Sequence, residues 1–408
     1  HRSGSRRWPG GARWCRHGDP RSAAGARVAH RQPLGPGHPL RCGSVPLRPQ
    51  SVPVPHPQRR RQLMGRWRHL RRHLRRHPLD SVLSLAILLL IAWALWATGQ
   101  WVVQVADWRV VSANLPLYAS GSFPAEQRWR PLLWLGLILL LTLVTLLAPR
   151  PAPGQRPGPF RLGLPWLWLL MLPLGLAVLA GGAGTGLSAV SSRAWGGLVL
   201  TLLLTGASGL LALPLGVMLA LGRSSDLPVL RHGSRLYVDL MRAVPLIAVL
   251  FFGQLLIPLF LPVQLELNRV LRAVLAFALF ASAYVAEDVR GGLQSIPSTQ
   301  KEAAAALGLS AWQSLQLVVL PQALQIAIPA LTNQAIGLLQ NTSLMALLGL
   351  VELLGISRSL LANPAFIGRH LEVYVWLAAL YWLLCTAMAL LARRLERSVQ
   401  PIPRAPGR

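Results

Sequence analysis

The chain predicts an all-α polytopic membrane protein, and three observations carry that prediction. Its 408 residues are 53% hydrophobic with a mean hydropathy of +0.44, and only 13% are charged, where a soluble domain carries about 25%. Several stretches run about 18 residues or more with almost no charge, the length a helix needs to cross a bilayer. Arginines gather on alternate loops between those stretches, the bias that sets the orientation of membrane helices. The formal net charge of +28 is not a global property, because much of it precedes residue 80. Lys301 is the only lysine among 41 basic residues, a compositional bias toward arginine and not a functional signal.

Residues 1–63 are rich in Arg, Pro, Gly, His and Ser and have no apolar periodicity, so they are expected to be disordered. The first methionine is Met64, and the natural product is expected to start there. The stretch 64–78, MGRWRHLRRHLRRHP, repeats His69, His73 and His77 on one helical face. The arginines crowded between them disfavour a metal cation and favour a basic collar on lipid headgroups. Cys15, Cys42 and Cys385 have neither disulfide nor metal spacing. No short apolar core with a small-residue cleavage site precedes the first span, which is expected to act as an uncleaved membrane signal.

Eight spans are expected, at 80–97, 131–148, 162–180, 195–221, 237–261, 271–286, 323–339 and 371–392. Trp93, Trp96 and Trp101 are interface anchors for the first. A mixed loop, 99–130, leads to the second. The third ends in GGAGTG, at 181–186, which has no preceding strand and no following Lys-Ser/Thr and so is not a phosphate loop. Pro214 and Gly216 are expected to bend the fourth, which neighbouring helices tolerate in a membrane. Gly291-Gly292 is expected to end the sixth. The run 340–370 has a semi-apolar, re-entrant character. The domains expected are a segment at 1–63, an extension with three spans at 64–190, a transport domain at 191–394 and a tail at 395–408.

Between the sixth and seventh spans lies a water-compatible hairpin, KEAAAALGLSAWQSLQLVVLP, at 301–321. Thr299 and Glu302 have capping-box spacing, as do Ser310 and Gln313. Four alanines, 303–306, are the best helix formers. Gly308 stands where a helix end takes a left-handed residue. Pro321 is expected to break the second helix. A DNA-reading helix-turn-helix would need more basic side chains than Lys301 alone.

The order Glu302-Ala303-Ala304, Gly308, Val318, Leu320-Pro321 resembles the coupling loop of ABC importer permeases. That resemblance implies that Glu302, Ala303, Ala304, Gly308, Leu320 and Pro321 couple the chain to a cytoplasmic ATPase. Placed in the cytoplasm, the hairpin puts 64–79, 149–161, 222–235, 287–322 and 393–408 inside, and all carry Arg or Lys. Of the outer loops, 181–194 and 262–270 have one Arg each, Arg193 and Arg269, while 99–130 has three Arg against two acids and 340–370 has Arg358 and Arg369 with Glu352, so the excess still lies inside. Both termini are thus expected in the cytoplasm of a bacterial cell, in a multi-pass inner-membrane protein.

A longer resemblance covers 195–394. The runs LMRAVPL at 240–246, AYVAEDVRGGLQSIP at 283–297 and LPQALQIAIPALTNQAIGLLQNTSLMALLGLVELLG at 320–355 are similar to polar amino-acid permeases. The three additional spans and long first outer loop resemble the general L-amino-acid permease branch. The resemblance implies a five-helix type I importer core, alternating access, uptake of polar or general L-amino acids, a second permease subunit, a binding protein on the outer face, and two ATPases that hold ATP and Mg. No cofactor, catalytic residue or metal site is expected on this chain. Departures are Gln340-Asn341, where relatives often have Lys-Asp, Asp288 in place of an aliphatic residue, and Thr299 in place of Gly.

Polar residues at membrane depth are functional candidates, although helix–helix bonding uses the same types. Asn333, Gln334, Asn341, Thr342 and Ser343 are the translocation-path candidates; Gln340 is weighed with them, and Gln254 is read as structural. Glu287 is read as an edge residue without a special role, and Arg290 as a helix cap or a plain inside charge. Among alternatives, another small solute such as an opine or organic anion differs only in cargo. A membrane enzyme would need clustered catalytic groups that the spans lack, and an assembly protein would have no ATPase for the hairpin to meet.

Overall fold

The computed structural model describes residues 78–148, 159–182, 184, 186–260, 262 and 267–399. The expectations for 1–63, for His69, His73 and His77, and for the turn at 149–158 lie outside these. The chain divides into two units, 1–88 and 89–408. In order, the helices are α1 Pro78–Gln100, α2 Arg109–Ser112, α3 Leu115–Ser120, α4 Trp129–Leu147, α5 Pro159–Ala180, α6 Gly197–Arg223, α7 Pro228–Ala243 and α8 Leu246–Phe251. Then follow α9 Arg269–Gln294, α10 Ser298–Ala306, α11 Ala311–Ser314, α12 Leu320–Asn341, α13 Leu353–Leu361 and α14 His370–Val399. Among the described residues seven helices are long and apolar enough to cross a membrane, or eight if one bent pair forms a single span.

The centre of the larger unit is α6 against α9. Lipid offers no hydrophobic drive for two apolar helices to associate, so close packing of small residues must hold them. Ala212 and Ala220 of α6 are buried with Ala283 and Ala286 of α9. Gly216 lies against Val285 and the Ser282 carbonyl, and the Ser208 hydroxyl donates to the Val274 carbonyl at 3.2 Å. Helix α12 packs on α9 and touches α6 as well, and α14 packs on α12. Pro214 sits inside α6 and Pro329 inside α12 without ending either helix.

Four expectations need correction. The span expected at 237–261 is not one helix: α7 and the segment Leu246–Phe260 meet at 104°. Pro245 has no N–H to continue the helix and forces Val244 into an extended conformation (φ −90°, ψ 135°). Gly291-Gly292 does not end α9, which continues to Gln294; a Cβ on Gly292 would overlap the Ala323 carbonyl, so the glycine is there for close packing. Pro321 does not break a helix. It lies in the first turn of α12, after a π turn at Leu315–Val319 in which the Leu320 N–H bonds to the Leu315 carbonyl. The chain therefore runs as one helical rod from Ala311 to Leu348.

The fourth concerns the loop 99–130, which is folded. Val110 and Val111 of α2 are buried with Val373 of α14, and Tyr118 of α3 with Leu353, Ile356 and Leu360 of α13. Asp107 pairs with Arg369 at 3.2 Å. Arg130, buried at the start of α4, donates to the Ser188 carbonyl at 2.8 Å and closes the turn that holds the glycine run.

Gly197, at the start of α6, has φ +56°, and a Cβ there would overlap the Tyr118 carbonyl oxygen. We expect Gly197→Ala to lower stability by about 2 kcal/mol through left-handed strain alone, with more from displacement of α3. Gly291→Ala, a helical position with open space around it, should raise stability by a few tenths. Thermal unfolding of the detergent-solubilised variants checks both; equal melting temperatures for Gly197→Ala and the parent would remove this account.

Candidate functional site

At the hairpin, Pro297 takes the N-cap of α10 and no side chain caps it. The capping box expected at Thr299 and Glu302 is absent for that reason: the helix starts two residues early, leaving Thr299 inside the first turn. The second box forms as spaced. The Ser310 Oγ accepts from the Gln313 N–H at 3.3 Å, and the Gln313 Oε1 accepts from the Ser310 N–H at 2.9 Å. Gly308 has φ +78° and carries the turn between the two helices, with the Leu309 N–H closing back on the Ala304 carbonyl at 3.1 Å.

The hairpin's surface sorts its residues. Glu302, Ala303, Gly308 and Pro321 are exposed, Leu320 is partly buried, and Ala304 is buried at 3% exposure. Ala304 therefore packs the hairpin on itself, while Glu302 and Ala303 face outward. Beside them Leu307, Trp312 and Leu317 are 82%, 59% and 67% exposed, a concentration of apolar surface on a polar hairpin. Hydropathy hid Trp312 and Leu317, since both lie in a run that also feeds a span. Beneath the hairpin Ile296, Val319 and Ala323 form a small core.

The path candidates divide by burial. Gln325, Ile326, Pro329, Asn333 and Gln340 form the exposed stripe of α12, at spacings of three, four and seven residues. Gln334 and Asn341 are partly buried beside it. None of Asn333, Gln334 and Asn341 makes a side-chain hydrogen bond among the described residues. Thr342 is fully buried and its hydroxyl donates to the Leu339 carbonyl at 2.7 Å, while Ser343 donates to the Gln340 carbonyl at 2.8 Å. These two cap the end of α12 as the chain turns into a 3-10 segment at Thr342–Leu348. Gln254 is buried and donates to the Arg269 carbonyl at 2.8 Å, holding the α8 segment to the start of α9.

Glu287 is not an idle edge residue. Its carboxylate receives Arg223 from the end of α6 at 3.0 Å, Arg242 from the end of α7 at 3.3 Å, and Arg290 one turn on in α9. Sequence spacing shows only the last of these, because the other two partners come from helices far away in the chain.

At the opposite end Glu352 is fully buried. It caps α13, accepting from the Leu354 N–H at 2.8 Å and the Gly355 N–H at 3.0 Å, and from the Tyr381 hydroxyl of α14 at 3.3 Å. The Val351 carbonyl accepts from the Gly197 N–H at 2.9 Å. Glu352 thus joins α6, α13 and α14. Loss of solvent pushes its carboxyl from 4.5 up to about 7, against the lowering effect of the two backbone donors. A carboxyl that binds its proton more tightly when folded loses its contribution to stability as pH rises through that interval. We expect the melting temperature to fall between pH 5 and pH 8, and this slope to flatten in Glu352→Gln; an unchanged slope in the variant would show that Glu352 does not titrate there.

A bundle of apolar helices, a polar stripe on one of them and a water-exposed hairpin between two of them together make a polytopic component of a membrane transport system. The family described as the binding-protein-dependent transport system inner membrane component matches residues 212–401, and the chain belongs to that family. It is 38% identical over 292 residues, 72% of this chain and 77% of the relative, to the inner membrane amino-acid ABC transporter permease protein YhdY of Escherichia coli K12. It is 40% identical over 52% of its length to the glutamate/glutamine/aspartate/asparagine transport system permease protein BztC of Rhodobacter capsulatus, covering 50% of that protein. Over 49% of its length it is 34% identical to the glutamate/aspartate import permease protein GltK of Escherichia coli, covering 91%. The YhdY match is longer than the family's own span, so it takes in part of the N-terminal extension.

Proposed function

We propose that this permease subunit imports amino acids, working with a cytoplasmic ATPase pair, a second permease subunit and an extracytoplasmic binding protein. The observation that carries the reading is the hairpin. Glu302 and Ala303 face solvent beside Leu307, Trp312 and Leu317, a surface that fits an apolar cleft on a partner. Because α11 and α12 are one rod up to Leu348, a push on the hairpin moves the stripe that carries Asn333 and Gln340. ATP and Mg belong to the partner. Amino-acid cargo is supported by the names of the three relatives. The stripe offers amide groups of both hydrogen-bonding senses to a zwitterion.

The hairpin lies in the cytoplasm in this reading, with both ends of the chain on the same side. The spans from α6 onward form the transport domain at 191–394, and residues 64–190 form the extension.

Two measurements test this. In cells carrying Glu302→Arg, uptake of a labelled amino-acid panel should fall at least about tenfold, the scale of a lost coupling contact, with the protein inserted at the parental level; parental uptake would count against the hairpin. A cysteine at the exposed Gln313 in a chain lacking Cys15, Cys42 and Cys385 should resist an impermeant thiol reagent applied from outside and react after the membrane is opened. Labelling from outside would invert the topology.

A further inference from the structure

We infer that Glu287 is a positioning residue of the transport cycle, a latch that carries displacement of the hairpin to the bend at Pro245. The inference rests on the coupling role of the hairpin given above and adds the route by which force leaves it.

Only residues 295–297 separate the end of α9 from the start of α10. Any movement of the hairpin therefore bears on the last turns of α9, where Glu287 sits. One carboxylate there holds three guanidinium groups, from the last turn of α6, the last turn of α7 and α9 itself. The side chains of Arg223, Glu287 and Arg290 are 16%, 24% and 30% exposed. An exposed single pair is weak, but this one is partly shielded and links three helices. Removing its one anion leaves three cations facing each other. Asp239, 3.8 Å from Arg223, partly offsets them, and Asp288 has one buried carboxylate oxygen without a hydrogen-bond partner.

Arg242 is the telling member. It stands two residues before Val244-Pro245, where no helical hydrogen bond crosses the 104° bend because proline has no N–H. Its guanidinium also lies over the Tyr284 ring of α9, 5.6 Å from the centroid. Further back, the Tyr237 hydroxyl donates to the Leu279 carbonyl at 2.9 Å. So α7 is fastened to α9 at both its middle and its end, while the segment beyond the bend is held separately, near the start of α9 through Gln254, and the two are joined at a bend that no helical hydrogen bond crosses. That arrangement makes α7 follow α9, and makes the bend the place where the following motion is released.

The test uses the complex copurified with its ATPase and reconstituted in liposomes with the binding protein. Glu287→Gln should insert and capture ATPase at the parental level. Amino acid moved per ATP hydrolysed should fall about tenfold, and Glu287→Asp should recover most of it. A purely structural role would lower both rates together and leave that ratio unchanged, which would overturn the inference, as would parental behaviour in Glu287→Gln. A second measurement is independent of cargo. Spin labels at the exposed His232 and Gln294, with native cysteines removed, should give one narrow distance in the parent and a broadened one in Glu287→Gln. Equal distributions would overturn the latch. If the parent moves no amino acid yet the labels behave as expected, the cargo assignment fails and the latch stands.

Discussion

The α6–α9 contact is the constraint on which the rest of the structure depends. In lipid, two leucine-covered helices gain nothing by leaving the bilayer for each other, so their separation must shrink until backbone and small side chains touch. Gly216, Ala212, Ala220, Ala283 and Ala286 make that approach possible. The register they impose places Arg223 beside Glu287 at one end. It also leaves the start of α6 free to receive α3 and the strand-like bridge of Gly197 with Glu352 at the other. A larger residue at the centre would separate both ends at once.

Each departure from regular helix is matched by a local remedy, as a membrane interior demands of every backbone polar group. The π turn at Leu315–Val319 shifts the bonding pattern just before Pro321 enters the helix. Thr342 bonds the Leu339 carbonyl where α12 ends. Glu352 supplies two acceptors to the start of α13. Among the described residues, Thr342, Glu352 and Pro245 each stand where a regular helix starts or stops.

The spans themselves were legible from the sequence, because a run of about 20 apolar residues has few other meanings. Gly308 and the Ser310–Gln313 box were equally legible, since each depends on neighbours within four residues. What stayed hidden depends on distant chain segments. Hydropathy does not distinguish a straight span from one broken at Pro245. Nor does it show that Val110 and Tyr118 are packed against α13 and α14, or that two of Glu287's partners are 64 and 45 residues upstream, at Arg223 and Arg242. The box assigned to Thr299 and Glu302 failed for a local reason: the helix starts right after Pro297, two residues earlier, which leaves Thr299 inside its first turn. Among the path candidates, residue type alone did not separate Asn333, which is exposed, from Thr342, which is spent on its own helix end.

The open leucines and tryptophan of the hairpin bear on how such a subunit is made. With the hairpin in the cytoplasm, as proposed, a newly inserted chain leaves Leu307, Trp312 and Leu317 open until a partner covers them. Such an adhesive spot invites holdases and proteases, which makes unassembled copies short-lived. If the hairpin meets a partner as proposed, matched synthesis of the subunits follows as a requirement of the cell's housekeeping, written into three side chains.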